Sequence, residues 1–290
     1  MEPARARVAA VTQQVIETTM PLRYRADMVQ LGTRPAFGDL LRGWRQRRHL
    51  SQLQLASEAQ MSARHLSFVE TGRARPSREL VLHLAEQLDV PLRERNALLL
   101  AAGFAPVFPE HDLDAPAMDQ AREALGRLLE AHEPYPAMVV DRHWNLVLAN
   151  RAVGLMSELI APDLLAPPLN VGRVSLHPDG LAPHIVNFAE YAAHFVGRLR
   201  RQVELTADPI LIELFEEVCS YPNVELTPEG MGDEHGVVLP LRVRTPEGEL
   251  SMFTTIATFG APLDVTLSEL AIEAFYPADE FTADVLRRRA

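Results

Sequence analysis

The sequence predicts a two-part chain, a compact all-α unit of five short helices followed by an α+β unit on an antiparallel sheet of about five strands. Three observations carry that expectation. At 290 residues the chain exceeds one typical domain. Helical spacing and helix caps crowd the stretch from Ala36 to Gly103. Beyond it, short apolar runs bounded by turn residues flank a helical middle. Charge divides the same way: residues 1–105 hold 15 Arg against 10 acidic residues and the remainder 13 against 29, within a net charge of -11. The two parts invite different partners.

Residues 1–34 have little periodicity and are set aside as an N-terminal arm. In the unit spanning 35–105, Phe37, Leu40, Leu41 and Trp44 recur at i, i+3, i+4 and i+7 and so share one helix face, with Arg42, Arg45, Arg47 and Arg48 mostly on the others. Ser51 opens a second helix with Gln54 completing a capping box, and Leu55, Ala56 and Ala59 face inward. Ser62 caps a third, whose apolar positions are Leu66 and Val69 and which Thr71-Gly72 stops. Pro76-Ser77 starts a fourth with Leu80, Leu84 and Leu88 inward, and Val90-Pro91 separates it from a fifth that runs to Gly103.

Residues 106–120, rich in Pro and Asp, read as a linker to a second unit over 121–290. A helix from Ala121 to Ala131 leads into strands at 137–140 and 146–149, joined by a turn over Asp141 to Asn145. Helices follow, the longest from Ile185 to Val203. Three strands then run Val237 to Arg244, Leu250 to Phe259 and Val265 to Phe275, with Pro246-Glu247-Gly248 as a hairpin turn. Such an order places helices against one face of the sheet.

Composition excludes several classes. All 28 basic residues are Arg, which reads as genome composition and carries no function. A lone cysteine, Cys219, excludes an intramolecular disulfide framework and a Cys-rich zinc site. No apolar run approaches the roughly 20 residues that span a bilayer, and MEPARARVAAVTQQVIE lacks a signal core, so a cytoplasmic protein without a membrane partner is expected.

Residues 50–70, LSQLQLASEAQMSARHLSFVE, meet the demands of a helix-turn-helix. Ala56 is small where two helices cross, Met61, Leu66 and Val69 fill the wedge, and Ser62 caps the second helix. Ser62, Ala63, Arg64 and His65 then begin the helix that would enter a major groove, Arg64 matching the N7 and O6 of a guanine. Gln52 would reach a phosphate or neighbouring base, and Arg73 and Arg75 the backbone. Nine Arg between 34 and 78 against Asp39, Glu58 and Glu70 supply the attraction for double-stranded DNA. The segment resembles XRE/Cro-type DNA-binding domains, through Leu50-Ser51-Gln52, Leu55-Ala56, Ser62, Glu70-Thr71-Gly72 and Pro76-Ser77, and the resemblance implies a lambda-repressor-like fold. One departure is Gln60, at a turn position usually held by Gly, which must take a left-handed conformation or shift the turn.

The run HEPYPAMVVDRHWNLVLANRAV at 132–153 resembles the opening of a PAS-type sensor domain. With LHPDGLAP at 176–183 and GRLRRQ at 197–202, it is similar to the ligand-binding domain of MmyB-like transcriptional regulators. The resemblance implies a regulator that senses a small apolar ligand, a bound fatty acid or similar lipid among relatives, and no other cofactor. A homodimer follows from the family and from paired half-sites one helical turn apart. In a PAS-like pocket Trp144 and Phe188 are candidate walls, and Arg198 or Arg201 candidate partners of a carboxylate. Against these stand a core role for the aromatics and a solvated face for the arginines.

His177, His184 and His194 lack metal-ligand spacing, Ser175 lacks a nucleophile elbow, Cys219 sits in an apolar helical stretch, and Gly230, Gly232 and Gly236 form no phosphate loop. Neither a metal nor catalysis is expected. Two alternatives stay open: an enzyme acting on a hydrophobic acid with an autoregulatory head, and a protein-interaction module with vestigial DNA binding.

Overall fold

The computed structural model describes residues 36–225 and 239–289. The N-terminal arm, the start of the strand expected from Val237 and the loop with Gly230, Gly232 and Gly236 lie outside them. By packing, the described residues form two units. One holds residues 36–111 with 261–268; the other holds 112–225, 239–260 and 269–289.

The first unit has the five expected helices: α1 Phe37–Arg47, α2 Gln52–Glu58, α3 Ala63–Glu70, α4 Arg78–Gln87 and α5 Leu92–Ala101. Its core gathers Leu41, Trp44, Leu55, Ala56, Leu66, Val69, Leu84, Leu88, Leu98 and Leu99. Each fully buried Leu contributes roughly 1.5–3 kcal/mol. Ser51, Ser62 and Ser77 cap α2, α3 and α4 by accepting the N–H groups of Gln54, His65 and Leu80, and Ser51 forms the complete capping box with Gln54.

All five helices end alike. A residue with positive φ follows each one, at His49, Gln60, Gly72, Asp89 and Gly103. The next N–H returns to the last turn, as in Met61 N to Ala56 O (2.8 Å) and Arg73 N to Phe68 O (2.8 Å), the pattern that satisfies helix-terminal carbonyls. Gln60 takes the left-handed conformation at φ 52° and leaves the turn in place.

The second unit opens with α6 (Asp119–Ala131). Its sheet is five-stranded and antiparallel throughout, in the order β2-β1-β5-β4-β3, with β1 Ala137–Val140, β2 Leu146–Ala149, β3 Leu241–Thr245, β4 Gly248–Ala257 and β5 Ala271–Pro277. Between β2 and β3 lie the short α7 (Gly154–Ser157) and α8 (Val171–Leu176), then α9 (Phe188–Thr206) and α10 (Pro209–Cys219). The long helix starts three residues later than its periodicity predicts because Asn187 is tied to the sheet edge. Its Oδ1 accepts Arg242 N–H at 3.1 Å and its Nδ2 donates to Pro240 O at 2.8 Å.

The strand expected from Val265 is corrected. Val265–Ser268 form a helical turn, α11, and β5 begins only at Ala271. Asp264 side-chain oxygens take the Leu267 N–H (3.3 Å) and the His111 ring (2.7 Å), and Val265 N–H reaches Pro109 O (2.8 Å). Val265 is thus buried within the first unit and not in a ladder. The chain ends on α12 (Glu280–Arg289), started by Asp279, which accepts the Thr282 N–H.

Candidate functional site

The first candidate surface follows from the capping of α3. Ser62 holds the helix start by accepting His65 N–H at 3.1 Å, and Ser62, Arg64 and His65 are exposed there. Ala63 is half-buried and packs partly on the core. Leu66, Val69 and Glu70 face inward, so the helix turns its N-terminal polar residues to solvent. The Arg64 guanidinium lies 5.4 Å from the Phe68 ring centroid. Beyond the helix, Arg73 and Arg75 are exposed, and so is Arg78.

The basic patch is narrower than the count of arginines implies. Arg45 is buried at 8% exposure and donates to Glu70 at 2.7 and 3.1 Å. Arg48 donates to the carbonyls of Leu88 and Asp89, closing the end of α4. Arg42 donates to Glu70 O. Gln52 opens α2 as expected, but its amide donates to Glu70 Oε2 at 2.7 Å. Gln52 is therefore held by an acid that the sequence reading counted only as a charge set against the arginines.

The second unit holds an apolar cavity of about 210 Å³, open to one side, between the sheet and the helical middle. Met138, Val174, Leu181, Met252 and Phe275 contribute apolar wall, and Ser175, Tyr191, Asn150 and Glu273 are its main polar groups. Asn150 is spent on structure, accepting Ala137 N–H and donating to Tyr135 O and Leu129 O. Ser175 lies beside Tyr191 on the wall, and burial pushes the Tyr191 hydroxyl above its ordinary value. Burial also pushes the Glu273 carboxyl up, while the Arg198 charge pulls against it. A wider depression of about 360 Å³ is rimmed by paired charges, Arg289 with Glu158 and Arg151 with Glu133, whose Oε2 is buried without a hydrogen-bond partner.

None of Trp144, Phe188, Arg198 and Arg201 is among the described residues lining the cavity. Trp144 sits at φ 68° in the β1–β2 turn, buried, with its indole N–H on Gln202 Oε1 (2.7 Å) and its ring 4.5 Å from that of Phe195. Phe188 packs behind the wall, on the cluster containing Val174, Leu181 and Ile185. Arg198 stands two helical turns past Tyr191, over the Trp144 ring at 4.6 Å, and donates to Glu273 Oε1. Arg201 is exposed. Helical phase brings Arg198 to the cavity's acid and not to its lumen.

Around the same turn, Asp208 caps α10 and holds Arg142 (2.6 Å) and His143 (3.1 Å). Burial pulls its carboxyl up, but the His143 hydrogen bond and the Arg142 charge hold it below the ordinary range. Among the described residues no group of three His, Cys, Asp or Glu could hold a metal ion. Burial pushes the Cys219 thiol up to about 12, which leaves it unreactive.

Two protein families match this layout. A helix-turn-helix domain matches residues 36–98. The MmyB-like transcription regulator ligand binding domain matches residues 121–288, more than half of the chain. The chain belongs to this MmyB-like family. Its first family match ends within α5, and the second covers the sheet and the helices that enclose the cavity. No curated protein matches it by sequence. A helix-turn-helix domain joined to an MmyB-like ligand-binding domain makes this a ligand-responsive transcription regulator. Among the described residues no helix is long and apolar enough to cross a membrane.

Proposed function

We propose that this MmyB-like regulator reads a specific double-stranded DNA operator with the start of α3, as a homodimer on paired half-sites, under the control of a small apolar ligand in the cavity of its second unit. The observation that carries the DNA reading is the Ser62-capped helix start, with Arg64 and His65 exposed beside Arg73 and Arg75. Arg64 supplies the bidentate guanine contact, His65 and the Ala63 methyl line the groove, and Arg73 and Arg75 meet phosphates. The apolar wall supports a hydrocarbon ligand, of which a fatty-acid-like lipid is the class implied by the resemblance.

Gel-shift titrations of the full chain across a salt series on its operator test the reading. Arg64→Ala should lose about 1–3 kcal/mol of discrimination at one base pair. Arg73→Ala should weaken all sequences alike and flatten the salt slope by about one. Equal effects of both variants on matched and mismatched DNA would contradict the assigned roles.

A further inference from the structure

The cavity has an acid in it, and that acid is half satisfied. Glu273 is 5% exposed on β5, and its register against Met138 of β1 sets the two side by side on the cavity wall. Both hydrogen bonds from Arg198 fall on Oε1, at 3.3 Å each. Among the described residues Oε2 accepts none. That oxygen remains an open acceptor, and it belongs to a residue lining an otherwise apolar space. Ser175 and Tyr191 supply further hydroxyls on the same wall.

Charge decides which ligand head fits. The Arg198–Glu273 pair is neutral as a unit, and Arg198 is also stacked over Trp144. An ionised carboxylate entering the cavity would add a second anion beside Glu273 in a poorly solvated space. Like charges at such range raise a carboxyl pKa by a unit or more, at least tenfold in population at neutral pH. A hydroxyl would instead donate to Oε2 without any net charge. From this geometry we infer that the cavity selects an apolar ligand with a neutral, hydrogen-bond-donating head, of the class of an aliphatic alcohol, and that Glu273 Oε2 is the acceptor that reads it. This deepens the proposed ligand role of the cavity and rests on it; a fatty-acid-like molecule would be held unionised.

Calorimetric titration of the full chain with 1-octanol and with octanoate, at neutral pH, tests the inference. 1-Octanol should bind at least tenfold more tightly than octanoate. Glu273→Gln, which keeps the shape and removes the charge, should narrow that ratio to below about threefold, chiefly by improving octanoate. Tighter binding of octanoate to the unaltered chain would overturn the inference, since Arg198 would then have turned to the ligand; that comparison needs no variant to fold. An unchanged ratio in a folded Glu273→Gln protein would overturn it as well. Met252→Trp, filling the cavity, should abolish binding of both. If neither compound binds the unaltered chain, or if both still bind the filled variant, the ligand role of the cavity falls with it; tight octanoate binding that Met252→Trp abolishes sinks the head-group inference alone.

Discussion

Removing the Glu70 carboxylate should destabilise the helix-turn-helix unit by about 3–5 kcal/mol, the range for stripping one partner from a buried ion pair. Glu70 is 2% exposed and accepts from Arg45 Nε at 2.7 Å, Arg45 Nη2 at 3.1 Å and Gln52 Nε2 at 2.7 Å. In Glu70→Ala the buried guanidinium keeps only Leu50 O, at 2.7 Å, and the Gln52 amide loses this acceptor. The loss is therefore dominated by an uncompensated cation and not by the net worth of three hydrogen bonds, each about 1.5–3 kcal/mol when one partner is charged. The chain has two tryptophans, and only Trp44 lies in this unit. Urea unfolding in a Trp144→Phe background, followed by Trp44 fluorescence, thus isolates the effect. At about 1–3 kcal/mol per molar urea, the midpoint should fall by at least about 1 M. Pairing Arg45→Met with Glu70→Leu should recover most of the loss, because the desolvation cost disappears with both charges. A loss under about 1 kcal/mol, or a double variant no better than the single one, would refute the reasoning.

Other perturbations act on the same turns and buried contacts. Gln60→Gly should stabilise the unit by about 0.5–1 kcal/mol, read as a higher urea midpoint, because Gly takes the observed φ of 52° without strain. Gly38→Ala should cost about 1–3 kcal/mol or more by the same measurement, since its Cβ would stand 2.2 Å from Glu70 O where α1 meets the end of α3. Asp208→Asn should cost the second unit about 1–3 kcal/mol at neutral pH. Because the folded carboxyl is held below its ordinary value, that stabilisation is present above about pH 4 and vanishes as pH falls through the folded value. The gap between native and Asp208→Asn thermal midpoints should accordingly close in acid; a gap that widens would contradict the ion-pair account.

The head was legible in the sequence because its information is local. Ser51, Ser62 and Ser77 each sit three residues from the N–H they cap, and apolar spacing places Leu41, Leu55, Leu66 and Leu84 without knowledge of any partner. Even the departure at Gln60 resolved locally, through the same terminal hydrogen bonds that a glycine would make. The second unit was legible only where strands announce themselves. Val265 carries the composition of a strand, yet Asp264 and the carbonyl of Pro109, far away in sequence, convert it to a helical turn. The terminal helix α12 went unread although Asp279 stands in position to cap it.

Three of the four buried acids among the described residues mark where pattern reading stops. Glu70, Asp208 and Glu273 have the composition of surface residues, and each is explained by partners 25, 65 and 75 positions away in the chain. Periodicity assigns an inward place to apolar residues alone, so it cannot say that an acid is buried, still less whether it is satisfied there. The distinction matters for function. Glu70 meets three donors and Asp208 an arginine, a histidine and a helix N-terminus. Such groups hold helices in place and have no capacity left for a ligand. Among the described residues Glu273 meets one arginine on one oxygen, and it lines the cavity with its other oxygen accepting no bond. Completeness of hydrogen bonding, visible only in three dimensions, thus separates acids that stabilise the fold from the one placed to read a bound molecule.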